Sequence, residues 1–317
     1  MEGLYLEDGD LSFRTDLPKP IPAEHEVLIR VTLAGICATD LEIQKGYIPG
    51  FKGIPGHEFV GVVEEAKDSA WIGKRVCSSI NMVDPSQAHA CCGLEHNPGR
   101  VVLGIINKDG IFAQYVVVPV ENLVEVPDSV TDRQAVFTEP LAAALRIREQ
   151  VIVAPTARIG VVGPGRLGML IGKILSLNGS DVTMLGRSPE SLKLPSTWGL
   201  DVGFSTEAQS DSFDFVVEAS GNIHGFENAL RIVKPMGTII LKSTFAGSPP
   251  IDLTKVVVGE VKVVGSRCGP FKPSMRLLKN SSVPVDDLID SEYPMSKGLE
   301  AFEHAARAGA RKILLTP

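Results

Sequence analysis

Up to about residue 125, apolar and polar positions alternate in short runs with a period of two. The clearest runs span 26–31 (EVLIRV), 61–64 (GVVE) and 113–118 (AQYVVV). This period is typical of β-strands that bury one face. Prolines punctuate the connections between the runs, at Pro18, Pro20, Pro22, Pro49 and Pro55. We therefore predict a β-rich region built from short strands joined by turns.

From about residue 140, short apolar runs alternate instead with helical stretches. The runs lie at 159–162, 182–185, 215–217 and 238–241, and the stretch 166–177 carries leucines and isoleucines on one face. Alternating strands and helices predict a parallel sheet covered by helices on both faces. The valine runs at 256–258 and 261–264 predict two further strands near the edge of this sheet.

The tail after residue 273 has a helical pattern around 297–308 and a short apolar run at 312–315. These 44 residues are too few for a domain of their own. We expect the tail to return to the β-rich region.

Length and composition narrow the class of protein. A chain of 317 residues suggests two domains, and 44% hydrophobic with 22% charged residues excludes collagen, coiled coil and disorder. The net charge of −7 without a basic cluster argues against nucleic acid or anionic membrane as partners. Residues 1–10 lack the features of a signal peptide, and five scattered cysteines do not suggest a disulfide framework. We expect a cytoplasmic protein with reduced thiols.

A glycine-rich turn connects the apolar run at 159–162 to the helical stretch. Its pattern is Gly163-Pro164-Gly165-Arg166-Leu167-Gly168. In this context the glycines permit a tight turn, close approach of a pyrophosphate and packing of the helix on the strand, while N–H groups at Arg166 and Leu167 receive the anion. An ordinary glycine-rich connection is the simpler alternative. We predict a dinucleotide site.

The end of the next strand indicates which dinucleotide binds. NAD-binding folds usually place a carboxylate about 20 residues after the glycines. Here the strand ends in Gly186-Arg187-Ser188, where glycine leaves room and arginine offers a positive charge to a 2′-phosphate. A solvated loop arginine is the alternative. The sequence favours NADP(H) over NAD(H).

Three ligand types suited to zinc occur in the β-rich part and just after it. They are Cys37, His57 and Glu139, which could leave a fourth position open for substrate. Each also has a simpler interpretation: a buried thiol, a core or surface histidine, and a carboxylate at a helix start.

These motifs together resemble the zinc-dependent alcohol dehydrogenases of the medium-chain dehydrogenase/reductase family, and most closely the sorbitol/threonine dehydrogenase-like branch. The motifs are Cys37-Ala38-Thr39-Asp40, Gly56-His57-Glu58, Glu139-Pro140-Leu141 and the later glycine turn. The resemblance covers essentially the whole chain. It implies an α/β protein with a GroES-like catalytic domain at 1–143 and 269–317, a Rossmann domain at 144–268, and an active site in the cleft between them.

The resemblance also implies roles for individual residues. Cys37, His57 and Glu139 would bind one catalytic zinc, with Glu58 beside it as an alternative or supporting ligand. Asp40 would orient His57, and Thr39 would carry the alcohol proton away. Glu42 stands where many relatives have a relay histidine, and it could relay protons or simply be solvated.

One expected feature of the family is missing. Many relatives bind a structural zinc through four cysteines, but the aligned positions here hold Asp84, Gln87, Ala90 and a residue near His96 that is not cysteine. We predict no structural zinc. A rearranged site formed by His89, Cys91, Cys92 and His96 is a weaker alternative, because adjacent cysteines rarely bind one ion.

The sequence therefore predicts a zinc-dependent oxidoreductase that transfers hydride between an alcohol or polyol and NADP(H), assembled as a homodimer or homotetramer. Two alternatives remain at this point. One is a metal-free NADPH-dependent reductase of activated double bonds on the same scaffold, and the other is a dinucleotide-binding protein without activity. Neither alternative needs the combination of Cys37, His57 and Glu139.

Overall fold

A computed structural model describes residues 1–83, 93–244 and 251–317. Internal contacts divide the chain into two compact units. The first unit combines Met1–Glu139 with Phe271–Pro317, and the second unit is Pro140–Pro270. The sequence-based boundaries, at 143/144 and 268/269, lie near these limits.

The two units are rich in different elements. The strands are β1 (Gly3–Glu7), β2 (Asp10–Arg14), β3 (Glu26–Gly35), β4 (Lys52–Gly53), β5 (Glu58–Glu65), β6 (Arg75–Ser78), β7 (Asn81–Met82), β8 (Val101–Val102), β9 (Tyr115–Pro119), β10 (Leu123–Glu125), β11 (Arg158–Val162), β12 (Asp181–Gly186), β13 (Asp201–Phe204), β14 (Phe213–Glu218), β15 (Val233–Leu241), β16 (Lys262–Gly265), β17 (Ile289–Pro294) and β18 (Lys312–Thr316). The α-helices are α1 (Ala38–Gln44), α2 (Asp132–Ala135), α3 (Thr138–Gln150), α4 (Arg166–Ser176), α5 (Pro189–Thr197), α6 (Ile223–Ile232), α7 (Leu253–Val258), α8 (Phe271–Lys279) and α9 (Gly298–Ala305). Among the described residues, no helix has the length and apolar character needed to cross a membrane.

The first unit is organised around β3, the longest strand. β3 pairs antiparallel with β5, β9 and β18 in a seven-stranded sheet. Because β3 has neighbours along its whole length, most of its side chains are buried on both faces. The C-terminal strand joins it through Leu314 opposite Gly35 and Leu315 opposite Ala34. The tail thus returns to the β-rich part, as predicted.

The second unit is a parallel sheet of six strands in the order β13-β12-β11-β14-β15-β16. The chain leaves β11 toward β12 and β13, then returns to the other side of β11 for β14 to β16. A crevice therefore opens at the carboxyl ends of β11 and β14, which is where doubly wound sheets bind nucleotides. A core cluster that includes Val162, Phe213, Val216 and Ile239 lies beneath this edge. The predicted α/β class, a β-rich domain plus a doubly wound parallel sheet, is confirmed.

One local prediction was wrong. The run 256–258 was expected to be a strand, but it forms the end of helix α7. The carboxylate of Asp252 caps this helix by accepting a hydrogen bond from the Thr254 N–H at 3.1 Å, and Gly259 ends it. The capping residues outweigh the strand preference of three valines, because β-propensity depends on packing that these exposed side chains lack. The second run does form β16.

Candidate functional site

Cys37 stands at the start of α1, two residues after β3 ends. The short connection fixes its backbone, with φ −94° and ψ 159°. Its N–H donates a 2.8 Å hydrogen bond to Oδ2 of Asp40, one turn into the helix. Because a strand end and a helix cap both constrain this residue, the thiol is held in one place at the rim of the sheet.

His57 precedes β5 and is 3% exposed. The preceding residue, Gly56, has φ +98°, and a Cβ there would lie 2.8 Å from the ring of Phe112. Only glycine fits this turn against an aromatic ring. The local sequence Gly-His therefore delivers the imidazole into the interior from a turn that a larger residue would distort.

Asp40 links these two residues. While its Oδ2 holds the Cys37 backbone, its Oδ1 lies 3.2 Å from Nδ1 of His57, and the Asp40 side chain is fully buried. Neither Oδ1 nor Nδ1 makes a well-aligned hydrogen bond. The contact is therefore an electrostatic one. Nδ1 of His57 faces the Asp40 carboxylate, and Nε2 is left for another partner.

Cys37, His57 and Glu58 form the cluster of potential metal ligands among the described residues. One ligand atom from each lies within 4.8 Å of the others, and two of the three residues are buried. Tetrahedral zinc bound at about 2.0–2.3 Å places its ligand atoms roughly 3.5 Å apart, so small adjustments would close this set around an ion. Thiolate, imidazole and carboxylate are also the donors that zinc accepts.

The electrostatics of His57 agree with a site built for a cation. Burial lowers the pKa of the imidazole, but the charges of Asp40 and Cys37 outweigh burial and raise the pKa of His57 well above its usual range. The same two negative neighbours would also attract a divalent cation bound at Nε2 of His57.

The glycine turn of the second unit has the geometry expected of an anion site. Gly163 follows β11 with φ +98°, and a Cβ there would lie 2.6 Å from Cα of Ser220. The next glycine, Gly165, caps the 11-residue helix α4 and is exposed, with nothing within 4 Å of where its Cβ would be. The N–H groups at the start of α4 thus face open space at the carboxyl edge of the sheet, where a pyrophosphate is bound in such folds.

Comparisons with known proteins agree with both sites. Residues 23–128 match the family model described as alcohol dehydrogenase GroES-like domain, and residues 167–280 match the one described as zinc-binding dehydrogenase. A sorbitol dehydrogenase of Halalkalibacterium halodurans is 28% identical over 324 residues, covering 95% of this chain and 94% of the relative. The chain belongs to the zinc-binding alcohol dehydrogenases of the medium-chain family.

Further relatives extend this result. The L-galactonate-5-dehydrogenase of Escherichia coli K12 is 27% identical over a match that covers 90% of this chain and 89% of the relative. Two solved structures share the fold, each with a TM-score of 0.90 over 100% of this chain and 99% of the solved chain. One is a Sinorhizobium meliloti 1021 zinc-binding dehydrogenase bound to NADP, which is 24% identical in sequence. The other is an Escherichia coli CFT073 alcohol dehydrogenase complexed with NADH, which is 23% identical. The protein is thus a zinc-dependent NAD(P) alcohol dehydrogenase of the sorbitol/threonine dehydrogenase-like branch.

Glu58 has a partner in this alcohol dehydrogenase that the sequence analysis missed. Its carboxylate pairs with the ammonium of Lys312, which comes from the C-terminal strand β18. Both side chains are buried, at 1% and 3% exposure, and the ammonium also lies 5.7 Å from the centroid of the Phe137 ring. The two residues are 254 positions apart, so only the pairing of β18 with β3 could have revealed the contact.

The remaining predicted residues of the metal site are located as follows. Glu139 is half-buried in the first turn of α3, and its assignment as a zinc ligand stays a prediction. Thr39 is half-buried, and its hydroxyl lies 3.7 Å from Sγ of Cys37. Glu42 pairs at 2.9 Å with Lys45, the residue that follows α1, which favours the solvated alternative. The positions expected to replace a structural zinc, Asp84, Gln87 and Ala90, lie outside the described residues, as do His89, Cys91 and Cys92.

The strand end that should distinguish NADP from NAD is well defined. Gly186 is the last residue of β12 and is buried, Arg187 is exposed, and Ser188 caps α5. A Cβ on Gly186 would lie 2.5 Å from Oγ of Ser191 and 2.8 Å from Leu192. A side chain at this position would therefore require the ends of the Ser191 and Leu192 side chains to shift.

Proposed function

We propose that the protein oxidises a polyol, or reduces the matching ketone, with NADP(H) as the preferred dinucleotide. The observation that carries this proposal is the cluster of Cys37, His57 and Glu58, two of them buried, in a chain of this family. The names of the relatives support the substrate class, because sorbitol and L-galactonate are both polyhydroxylated chains. A metal-free reductase of double bonds would have no use for such a cluster.

For the metal, we propose Cys37, His57 and Glu139 as ligands. The carboxylate of Glu58 is already bound to the Lys312 ammonium, which supports assigning the third position to another acid. Counting Zn²⁺, Lys312, the Cys37 thiolate and the carboxylates of Glu58, Glu139 and the buried Asp40, the charges sum to −1. The zinc ion and the lysine would therefore offset most of the negative charge at the site, which limits the cost of burying it.

Each side chain near the metal then has a defined task. Bound Zn²⁺ supplies a Lewis acid that lowers the pKa of a coordinated hydroxyl, and bound nicotinamide supplies the hydride acceptor. Asp40 keeps the His57 ring in the orientation that presents Nε2. The Thr39 hydroxyl, beside the Cys37 sulfur, takes the alcohol proton and passes it toward solvent. Because Thr39 is neutral, it moves the proton without changing the charge at the site.

For the dinucleotide, we propose that the start of α4 holds the pyrophosphate and that Arg187 with Ser188 holds the 2′-phosphate. Glycine at position 186 supports this assignment, since no carboxylate stands there to repel a 2′-phosphate. An exposed guanidinium next to a helix N-terminus is a favourable partner for a phosphate dianion.

Metal content tests the function directly. Protein purified without chelator should contain close to one zinc per chain by elemental analysis, because one catalytic set is present and the four cysteines of a structural site are not. Two zinc ions per chain would instead show that His89, Cys91, Cys92 or His96 form a second site. Zero zinc, persisting after zinc is added back, would favour the metal-free reductase.

Replacing Arg187 with leucine should lower kcat/KM for NADP⁺ by roughly 10- to 100-fold, the effect of losing a charged hydrogen bond worth about 1.5–3 kcal/mol, while NAD⁺ is little affected. Steady-state kinetics with both dinucleotides measures the ratio. Lys193→Leu is the matched control, because it removes an exposed cation from α5, the helix that follows Arg187, without touching the strand end. Better use of NAD⁺ than NADP⁺ by the wild type would contradict the proposed preference.

We also propose that two chains pair along the edge of β16, giving a homodimer or a tetramer built from it. β16 ends the sheet, and nearby apolar side chains are exposed, including Val257 (73%) and Val258 (78%). Open strand edges with apolar neighbours are sites of association. Sedimentation velocity should show a dimer or larger, and Val263→Lys on this strand should shift it toward monomer. A wild-type monomer would refute the assembly.

We place the protein in the cytoplasm. The described cysteines Cys37 and Cys77 are free thiols, and such thiols persist in reducing compartments. Recovery of the enzyme from a periplasmic or secreted fraction would contradict this location.

A further inference from the structure

Glu218 is a buried acid that none of the roles described so far uses. It is the last residue of β14 and is 0% exposed. Its Oε1 accepts two hydrogen bonds from one residue, from the N–H of Ser220 at 2.7 Å and from the Ser220 hydroxyl at 2.6 Å. Among the described residues, its Oε2 has no hydrogen-bond partner, although it is shielded from solvent.

The segment held by Glu218 lies against the glycine turn. The N–H of Ala219 donates to the carbonyl of Val162 at 2.9 Å, which ties the segment to β11 just before the turn. The backbone of Ser220 approaches Gly163 so closely that any side chain at Gly163 would overlap it. Residues 219–222 therefore form one wall of the crevice, and we call them the β14 loop.

Two more contacts fix the far end of the β14 loop. The N–H of Gly221 donates to the hydroxyl of Ser243 at 2.8 Å, and the side chain of Asn222 caps α6 by accepting from the Gly225 N–H at 3.2 Å. Asn222 is linked back to Ser220 through its N–H, which lies 3.3 Å from the Ser220 hydroxyl. Glu218 is thus the buried end of a hydrogen-bond chain that runs through Ser220 to Asn222 and the start of α6.

The position of the β14 loop in the sheet indicates what it faces. In a doubly wound sheet the two mononucleotide halves of the cofactor lie on opposite sides of the switch point. Arg187 and β12 are on the adenosine side, and the start of α4 takes the pyrophosphate. β14 and its loop are on the other side, where the nicotinamide half must lie.

We propose that Glu218 is a positioning residue for the nicotinamide half of the cofactor, acting through Ser220 and the β14 loop. An apolar side chain at this place would avoid the cost of a buried, unpaired oxygen. It would also lose both bonds that hold Ser220, and the loop would then be free to move relative to the glycine turn. This proposal requires dinucleotide binding but not a preference for NADP over NAD.

The test compares the whole cofactor with its adenosine half. Titration of zinc-loaded protein with NADPH and with 2′,5′-ADP gives two dissociation constants for each variant. For Glu218→Met, which keeps the length of the side chain but has no oxygen, the Kd of NADPH should rise at least about tenfold, as for loss of bonds to a charged group. The Kd of 2′,5′-ADP should stay within about twofold, because its binding groups lie across the switch point.

Two further variants separate positioning from simple stability. Glu218→Gln keeps an acceptor oxygen for Ser220 and should restore most of the NADPH affinity. Ile239→Val lies in the core below the same sheet edge. It should lower the melting temperature without changing the ratio between the Kd of NADPH and the Kd of 2′,5′-ADP. If Glu218→Met does not fold, Ser220→Ala tests the same chain of bonds and should weaken NADPH selectively by a smaller factor.

Equal weakening of both probes, or no weakening of NADPH, would overturn the proposal, as would a Glu218→Gln variant no better than Glu218→Met. If the proposed preference for NADP is wrong, the wild type will bind NADH more tightly than NADPH, which is a separate result. NADH and 5′-AMP then replace NADPH and 2′,5′-ADP in the titrations. Glu218→Met should still weaken binding of the whole cofactor and leave binding of its adenosine half nearly unchanged.

Discussion

Changing Cys37 to alanine is expected to abolish alcohol oxidation and zinc retention while dinucleotide affinity stays within about twofold of wild type. The thiolate is one of the few anionic donors at the site, and its backbone is already held by Asp40, so the variant loses a ligand without losing the fold. Activity assays, elemental analysis and NADPH titration on the same preparation measure the three quantities. Turnover in the zinc-free variant would remove the metal from the mechanism.

Thr39→Val is the matched variant for this experiment. It keeps the shape of a side chain next to the Cys37 sulfur but removes the hydroxyl. Zinc content should remain at the wild-type level, while kcat falls by a factor on the order of 10² or more through loss of proton transfer. Normal turnover by Thr39→Val would exclude Thr39 from the proton path.

Changing Lys312 to methionine should destabilise the first unit by about 3–5 kcal/mol, because a buried carboxylate is left without its partner. Both groups are almost fully buried, so solvent does not screen their interaction. Urea denaturation of the zinc-free protein, followed through the first unit, measures the loss. Lys74→Met is the control, because it breaks an exposed ion pair between Lys74, just before β6, and Glu125 of β10. Its loss of stability should be much smaller than that of Lys312→Met.

The double variant Glu58→Gln with Lys312→Met separates loss of charge pairing from loss of packing. With the carboxylate neutralised, most of the lost stability should return. A double variant as unstable as Lys312→Met alone would mean that the lysine acts by filling space, along Phe137, and not through its charge.

Local pattern was sufficient to predict the fold class. The change from a period of two to alternating strands and helices corresponds to two separately packed units, and the glycine turn occurs between a strand and a helix as expected. The prediction was wrong at 256–258, where a capping aspartate and exposed valines produced a helix. Propensity is a weak guide where the side chains make few contacts.

The candidate site was predictable only in part. Cys37 and His57 are each fixed by neighbours a few residues away, so their motifs carried the information. The Lys312 contact with Glu58 and the isolation of Glu218 depend on strand pairing and burial, which short-range patterns do not contain. A lysine at the start of a terminal strand is usually exposed, and nothing in its sequence context sets Lys312 apart.

The late position of β18 in the chain has a consequence for synthesis on the ribosome. β3 and β5 are translated before the second unit, but the strand that completes their sheet and neutralises Glu58 is translated only after it. The second unit, lying between, is finished first and is free to fold while the first waits for its final strand. At about 5–20 residues per second, the delay after residue 139 is roughly 10 to 35 seconds. A nascent chain that stops before residue 312 leaves the Glu58 carboxylate uncompensated beside Cys37 and His57, so this cluster cannot be completed until β18 has emerged from the ribosome.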